Sequence, residues 1–393
     1  MNLLYWIKWL LHPVRVAFFA VVDWCAALTA ARHEEASDAV LLIRVDAIGD
    51  FVLWLDSAKS IREHYVNQRI ILTCNKVCVD LAAASVLFDE VHGVDLTRFT
   101  KDLRYRWRTM REVSWLGASL AIQPTFSRVL LTGDALIKAS GAPLRIGSTG
   151  DLANRHQWHK WIGDRWYTSL VPASVRPLME LDRNSEFLRG LGIEQAVSAV
   201  AKMPVVAVLP SAKYISSAYF VIFPGASATG RMWPAGAFAK VADAVHDLYG
   251  WQPVACGSKA DRAIAAEMIK YSNCTNWVDF TGDTTLLEFV EILRGAQLVV
   301  GNETSVVHIA ASVATPSVCV LGGGHFGRFM PYSDAVSGMK PIAVYRQMEC
   351  FGCNWKCHIR SDISRPYPCV EAVNISDIIS TVKTVIDLEE LDR

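Results

Sequence analysis

Three polar loops follow apolar segments and carry the side chains that could do chemistry. The first loop is Asp46-Ala47-Ile48-Gly49-Asp50, in which Gly49 allows a sharp turn and Asp50 begins a helical pattern. A carboxylate at this place could take a proton from a bound hydroxyl group. It could equally do no more than cap its own helix, and the local sequence leaves both interpretations open.

The second loop runs from Phe223 to Pro234 and is rich in glycine and hydroxyl residues. Its backbone N–H groups, together with Ser227 and Arg231, could cradle a diphosphate, although an ordinary loop is the simpler interpretation. The loop has no Gly-Lys-Ser/Thr sequence and lacks the glycine spacing of a dinucleotide fingerprint. A P-loop and a Rossmann oxidoreductase are therefore disfavoured.

The third loop, Gly301 to His308, joins the end of a strand to the start of a helix, so backbone N–H groups should face a ligand. In the simpler interpretation Glu303 or Thr304 caps that helix, and His308 is a core histidine. The next strand is followed by Gly322-Gly323-Gly324-His325, where glycines should permit close approach of a ligand.

Strand and helix patterns alternate along the chain in two series, which predicts an α/β protein with two doubly wound, Rossmann-like domains. Ligands of such sheets bind outside the carboxyl ends of the strands, where the three loops lie. The predicted divisions are an N-terminal helix, two Rossmann-like domains and a C-terminal helix, at residues 1–32, 39–200, 204–370 and 374–393.

Charge and hydropathy bound the class of partner. The chain is 52% hydrophobic, and its 39 Lys and Arg balance its 39 Asp and Glu, so there is no overall positive electrostatic field that would attract nucleic acid.

In the apolar N-terminal segment the polar residues Lys8, His12, Arg15 and Asp23 form one helical stripe. This pattern predicts a helix in the membrane interface rather than across it, with packing on the protein's own surface as the alternative.

Taken together, the stretches LLIRVDAIGD, FPGAS…RMWP, VVGNETSVVHIAA and TPSVCVLGG resemble glycosyltransferase family 9, the lipopolysaccharide heptosyltransferase family. The resemblance covers roughly residues 40 to 385 and implies a GT-B fold with an inverting, metal-independent mechanism that needs no cofactor. It implies that residues 39–200 bind the acceptor and residues 204–370 bind the nucleotide-sugar, and that Asp50 is the catalytic base. It also implies that the donor diphosphate is bound by Ser227, Arg231, Glu303, Thr304, Ser305 and His308.

Two departures lie around the donor. The family pattern Asp-Thr-Gly is Glu303-Thr304-Ser305 here, and Gly-Pro-Thr is replaced by Gly322-Gly323-Gly324. By position only, Asp261 is a candidate for the donor ribose. Ser127, Arg128 and Arg145 are candidates for contacts with an anionic, lipid-linked acceptor.

Four cysteines cluster near the C-terminus. The spacing Cys350-x2-Cys353-x3-Cys357-x11-Cys369 could bind a structural zinc through four thiolates, with His358 as an alternative ligand, or it could be simple packing.

The sequence therefore predicts transfer of a sugar, such as heptose from ADP-heptose, onto lipopolysaccharide or a related envelope glycan. We expect the protein to be cytoplasmic and peripheral on the inner face of the cytoplasmic membrane. The alternative is a non-catalytic relative that binds a nucleotide-sugar or serves as a scaffold in envelope glycan assembly.

Overall fold

The first sheet has six parallel strands in the order β3-β2-β1-β4-β5-β6. The computed structural model describes residues 16–23, 25–26, 37–206, 215, 217–360 and 362–391. The strands of this sheet are β1 (Ser37–Arg44), β2 (Arg69–Asn75), β3 (Glu90–Val94), β4 (Ala118–Gln123), β5 (Leu144–Ser148) and β6 (Ser169–Val171).

Helices follow most of these strands, as crossover connections require. They are α1 (residues 16–23), α2 (Ile48–His64), α3 (Val79–Ala84), α4 (Leu96–Phe99), α5 (Leu103–Trp115), α6 (Ala135–Ala139), α7 (Gln157–Asp164) and α8 (Glu180–Gly190). A 3-10 turn, Lys76–Cys78, and a π turn, Leu130–Asp134, complete the set. The run Val40–Ile43 is fully buried, because a central parallel strand is covered on both faces.

The second sheet is also parallel, in the order β12-β11-β10-β7-β8-β9. Its strands are β7 (Tyr219–Phe223), β8 (Gln252–Ala255), β9 (Val278–Asp279), β10 (Leu298–Asn302), β11 (Ser317–Val320) and β12 (Ile342–Val344). Its helices are α9 (Ala235–Tyr249), α10 (Arg262–Tyr271), α11 (Leu286–Gly295), α12 (Ser305–Ser312), α13 (Pro368–Glu371) and α14 (Ile375–Leu391).

Local sequence explains where these helices begin and end. Helix α9 follows Pro234 and stops at Gly250, whose φ of 68° is the left-handed conformation that favours glycine. Thr285 caps α11 by accepting from the Glu288 N–H, and the Glu288 carboxylate accepts from the Thr285 N–H in return. The amphipathic α14 contributes its apolar face to the core of the second sheet.

Both sheets have the strand order of a doubly wound fold, 3-2-1-4-5-6 when β1 or β7 is counted first. The predicted α/β class with two Rossmann-like sheets is therefore confirmed. The chain divides into one compact unit of residues 1–47, 57–175 and 183–196, and a second of residues 48–56, 176–182 and 197–393. Helix α14 belongs to the second unit rather than standing apart, because its apolar side chains fill that core.

The N-terminal helix packs on the first unit through one face. Asp23 lies buried and forms a bidentate ion pair with Arg106, at 2.6 and 2.8 Å, and Phe19 lies under the same guanidinium. Asp23 therefore does not belong to an outward polar stripe, which corrects that part of the prediction; Lys8, His12 and Arg15 lie outside the described residues. None of the helices that the structure describes has the length and apolar character needed to span a bilayer.

Candidate active site

The central strands of the second sheet, β7 and β10, are neighbours where the strand order reverses. Gly301 of β10 pairs with Phe223 of β7, so the loops that follow both strands leave the same edge of the sheet. Doubly wound sheets bind their ligands at this switch point. The second and third predicted loops are thus brought together.

The side-chain amide of Asn302 holds the longer loop in place. Its Nδ2 donates to the Pro224 carbonyl at 2.7 Å, and its Oδ1 accepts from the Trp233 N–H at 3.0 Å. These two contacts fix both ends of the loop that carries Ser227 and Arg231. We did not predict this role, although a polar residue closing an apolar buried strand is a signal that could have revealed it.

The Arg231 side chain joins the two loops. Its Nη1 donates to Ser227 Oγ at 3.1 Å, and its Nη2 donates to the Glu303 carbonyl at 2.7 Å. The Arg231 side chain is 21% exposed, and its guanidinium lies 4.8 Å from the ring centre of Trp355. The predicted pair Ser227 and Arg231 is therefore in mutual contact and adjoins the third loop.

The start of α12 provides hydrogen-bond donors beside this cation. Thr304 is the N-cap residue in an extended conformation, and no side chain caps the helix. Across the described part of the chain, the buried Thr304 Oγ1 has no hydrogen-bond partner. A helix N-terminus with uncapped N–H groups attracts anions through its donors and its dipole.

Glu303 places a carboxyl group at the same edge. It is 4% exposed, and within the described residues neither of its side-chain oxygens accepts a hydrogen bond. Burial raises the pKa of Glu303 to about 7, against the opposing pull of Arg231, whose Nη2 lies 3.7 Å from Oε2. Near neutral pH this carboxyl group therefore exists in both protonation states.

The first turn of α2 lies against the first turn of α12, within the second unit. A Cβ built on Gly49 would lie 3.3 Å from Cδ2 of His308 and 3.5 Å from Cα of Ser305. Asp50 is the third residue of α2, after the N-cap residue Ala47, so it is not the N-cap of that helix. The structure thus brings the predicted base and the predicted donor loop into one neighbourhood.

His308 contributes no charge to this neighbourhood. Its ring is buried, its Nδ1 lies 2.8 Å from the Tyr332 hydroxyl, and the two rings stack. Burial lowers the pKa of His308 to about 3, so the ring is neutral at physiological pH.

Asp261 organises the turn before α10. Its Oδ2 accepts from the Ser258 N–H at 2.8 Å and from Ser258 Oγ at 2.7 Å, which is a local cap. The side chain is buried and packs against the backbone of Gly225. The assignment of Asp261 to a donor ribose stays a prediction.

The three predicted acceptor residues are also occupied by internal contacts. Ser127 Oγ donates to both carboxylate oxygens of Asp151, and Arg128 is fully buried in ion pairs with Asp134 and Asp164. Arg145 lies near the amino end of β5, where its guanidinium donates to the carbonyls of Ala142 and Trp166. These contacts hold loops of the first unit, and the acceptor assignment of Ser127, Arg128 and Arg145 stays a prediction.

The glycine run after β11 does not make room for a ligand, contrary to prediction. A Cβ at Gly323 would lie 2.2 Å from the Phe351 ring, and a Cβ at Gly324 would lie 2.2 Å from the Trp355 ring. The space beside these glycines is filled by aromatic side chains of the same chain.

The four clustered cysteines line one small cavity of about 10 Å³, with room for a single water at most. The Gly323 N–H donates to Cys369 Sγ at 3.3 Å. Among the described residues, however, no group of three or more His, Cys, Asp or Glu side chains is arranged to hold a metal ion. The structural zinc site of Cys350, Cys353, Cys357 and Cys369 stays a prediction.

Solved structures share this architecture. A glycosyltransferase family 9 protein from Veillonella parvula has a TM-score of 0.72 at 16% identity, covering 90% of this chain and 99% of its own. E. coli ADP-heptose lps heptosyltransferase II has a TM-score of 0.65 at 16% identity, with the same coverage. E. coli heptosyltransferase WaaC, solved with ADP-2-deoxy-2-fluoro heptose, has a TM-score of 0.60 at 12% identity, covering 88% and 99%. These likenesses confirm the GT-B fold.

Sequence comparison adds the family. A search of the curated proteins finds no match. Residues 136–353, more than half of the chain, match glycosyltransferase family 9 (heptosyltransferase). This chain belongs to glycosyltransferase family 9.

Proposed function

We propose that this glycosyltransferase moves a sugar from a nucleoside-diphosphate sugar to a lipid-linked envelope glycan, with inversion at the anomeric carbon. The observation that carries the proposal is the group of Arg231, Thr304 and the uncapped start of α12, which adjoins the first turn of α2. Such a group can hold a diphosphate beside a carboxylate, which is what this transfer requires. By analogy with the ligand in the WaaC structure, ADP-heptose is the first donor to test.

In this mechanism Asp50 accepts the proton of the acceptor hydroxyl as its oxygen attacks the anomeric carbon. The bond from that carbon to the diphosphate breaks, and negative charge collects on the leaving group. Arg231 and the N–H groups of α12 stabilise that charge, the function that a divalent metal serves in other nucleotide-sugar enzymes. We therefore propose that transfer proceeds without added metal and is insensitive to chelator.

Asp50→Asn keeps the size of the side chain but removes its basicity. We expect turnover to fall by about 10²-fold or more, since a general base acts on the transition state, while the affinity for ADP stays within about twofold. Release of ADP from ADP-heptose with an extracted lipopolysaccharide acceptor measures turnover, and calorimetry measures ADP affinity.

The matched control is Glu63→Gln, the same acid-to-amide change at an exposed position of α2, which should behave as wild type. An Asp50→Asn enzyme with near-normal turnover would leave that residue without a catalytic role. A wild-type protein that binds ADP but transfers from no nucleotide-sugar would favour the non-catalytic alternative.

The buried Glu303 carboxyl group should make donor affinity depend on pH. A bound diphosphate repels the ionised form, so binding requires the protonated form, which prevails below the pKa of about 7 and is lost as pH rises through it. Between pH 6 and pH 8 we expect ADP affinity to fall about tenfold more in wild type than in Glu303→Gln, measured by calorimetry. The variant corrects for ionisation of ADP itself, and parallel curves for the two proteins would contradict the assignment.

We propose that the protein works on the inner face of the cytoplasmic membrane, where a lipid-linked acceptor is available. With Val16, Phe19 and Asp23 turned inward, the outward face of α1 consists of Ala17, Phe18, Ala20 and Val21. Phe18 and Val21 are 54% and 58% exposed. An exposed apolar helix face of this kind suits insertion at the lipid–water boundary.

The double variant Phe18→Ser/Val21→Ser should bind vesicles with an anionic lipid fraction at least about tenfold more weakly than wild type, because two apolar side chains are lost. Co-sedimentation at low and high salt measures this. The control is Val66→Ser/Val77→Ser, which removes two exposed valines elsewhere on the same unit. Equal sedimentation of wild type and the Phe18/Val21 variant would mean that α1 serves only the protein's own packing.

A further inference from the structure

Arg231 is one end of a column in which two aromatic rings lie between two guanidinium groups. Its guanidinium lies 4.8 Å from the Trp355 ring centre, and the Trp355 ring stacks on Tyr367 at 5.2 Å with an interplanar angle of 30°. The Arg360 guanidinium covers Tyr367 at 4.6 Å. A cation beside an aromatic face is attracted by the electrons of the ring, so each contact in the column restrains the next one.

Trp355 also contacts the segment that contains the glycine run. Its Nε1 donates to His325 Nδ1 at 3.2 Å, and the N–H of its neighbour Asn354 donates to the Gly324 carbonyl at 2.9 Å. Asn354 and Trp355 both adopt positive φ, 50° and 59°, which is rare for residues other than glycine. Such a conformation persists where the surroundings impose it, and it is often found at functional sites.

The glycine run is what admits the Trp355 ring. Cβ atoms at Gly322 and Gly324 would lie 2.7 and 2.2 Å from atoms of this ring. The Gly-Pro-Thr pattern typical of the family would place side chains in the space that Phe351 and Trp355 occupy. The glycines at positions 323 and 324 and the rings of Phe351 and Trp355 therefore fit one another sterically.

We propose that Trp355 is a positioning residue for the donor diphosphate. It restrains the Arg231 side chain in the orientation that also contacts Ser227 Oγ and the Glu303 carbonyl. A restrained guanidinium loses less freedom on binding a phosphate than a mobile one, so Trp355 strengthens binding without touching the ligand. This inference rests on the proposed function, because it assumes that Arg231 binds the diphosphate.

A double-mutant cycle on Trp355 and Arg231 tests the inference, with calorimetric affinities for ADP, UDP and inorganic pyrophosphate. We expect Trp355→Ala to weaken binding about 5- to 10-fold and Trp355→Phe to restore most of the loss, since phenylalanine keeps a ring face. In the Arg231→Ala background, Trp355→Ala should have no further effect. Pyrophosphate should show the same pattern as the nucleotides, because it has no base that could stack on the ring.

Two controls separate positioning from damage to the segment. Phe351→Leu alters the ring that lies against Gly323 and leaves the Trp355 ring in place. This variant should bind ADP with unchanged affinity, and thermal melting verifies that it is folded. Gly324→Ala should reproduce the Trp355→Ala loss by displacing the ring, whereas Gly236→Ala, where a Cβ meets nothing closer than 3.6 Å, should not.

An equal loss from Trp355→Ala with and without Arg231 would overturn the inference and leave the proposed function intact. A loss for nucleotides but not for pyrophosphate would overturn it as well, by showing that Trp355 contacts the base. A wild-type protein that binds none of the three probes would overturn the proposed function and this inference together.

Discussion

The site depends on one buried side chain at the end of a central strand. Asn302 is the last residue of β10, and its side-chain amide forms hydrogen bonds with both ends of the loop that carries Ser227 and Arg231. Because the sheet fixes Asn302, the loop takes its position from the sheet rather than from its own sequence. An apolar residue at this position would leave the Trp233 N–H and the Pro224 carbonyl buried without their partner, which is costly for backbone groups. The guanidinium of Arg231 would then have no defined position.

Within the described residues, both units contain buried polar atoms without hydrogen-bond partners. In the first unit such atoms belong to Arg128 and Asp134, whose side chains lie within ion-pair distance of each other. In the second unit they are the oxygens of Glu303 and Thr304 Oγ1, which adjoin the partly exposed Arg231 and the start of α12. Groups of that kind cost free energy in the folded protein, and an active site is where such a cost is commonly retained. We place the chemistry at the switch point of the second sheet because there these groups lie beside a cation and a helix N-terminus.

Much of this arrangement could be predicted from the sequence. Strand ends, glycines and helix starts are local features, so the loops around Asp50, Arg231 and Thr304 are each predictable from a single segment of the sequence. The edge of a parallel sheet then brings the last two of these together without further information. Asn302 could also have been found, since it ends an otherwise apolar strand.

The remaining features depend on partners far apart in the chain. The Asp23–Arg106 ion pair joins residues 83 positions apart. The local sequence therefore does not distinguish a buried, paired Asp23 from an Asp23 on an exposed polar stripe. The space beside Gly322 and Gly324 is filled by the ring of Trp355, which belongs to a later segment of the chain. The glycine run alone therefore does not reveal whether a ligand or a side chain lies beside it. Likewise the ion pair of Arg128 with Asp164 and the hydrogen bond of Arg145 to the Trp166 carbonyl join positions that are far apart in the chain.

The proposed mechanism requires a diphosphate to bind at the switch point of the second sheet. Calorimetry tests this requirement by comparing nucleoside diphosphates with the corresponding monophosphates, ADP with AMP and UDP with UMP. We expect at least one diphosphate to bind about tenfold or more tightly than its monophosphate, since the second phosphate meets a charged donor and a helix N-terminus. We also expect Arg231→Ala to remove most of that difference. Equal affinity for the di- and monophosphate of each base, or no binding of either, would show that this switch point is not a diphosphate site.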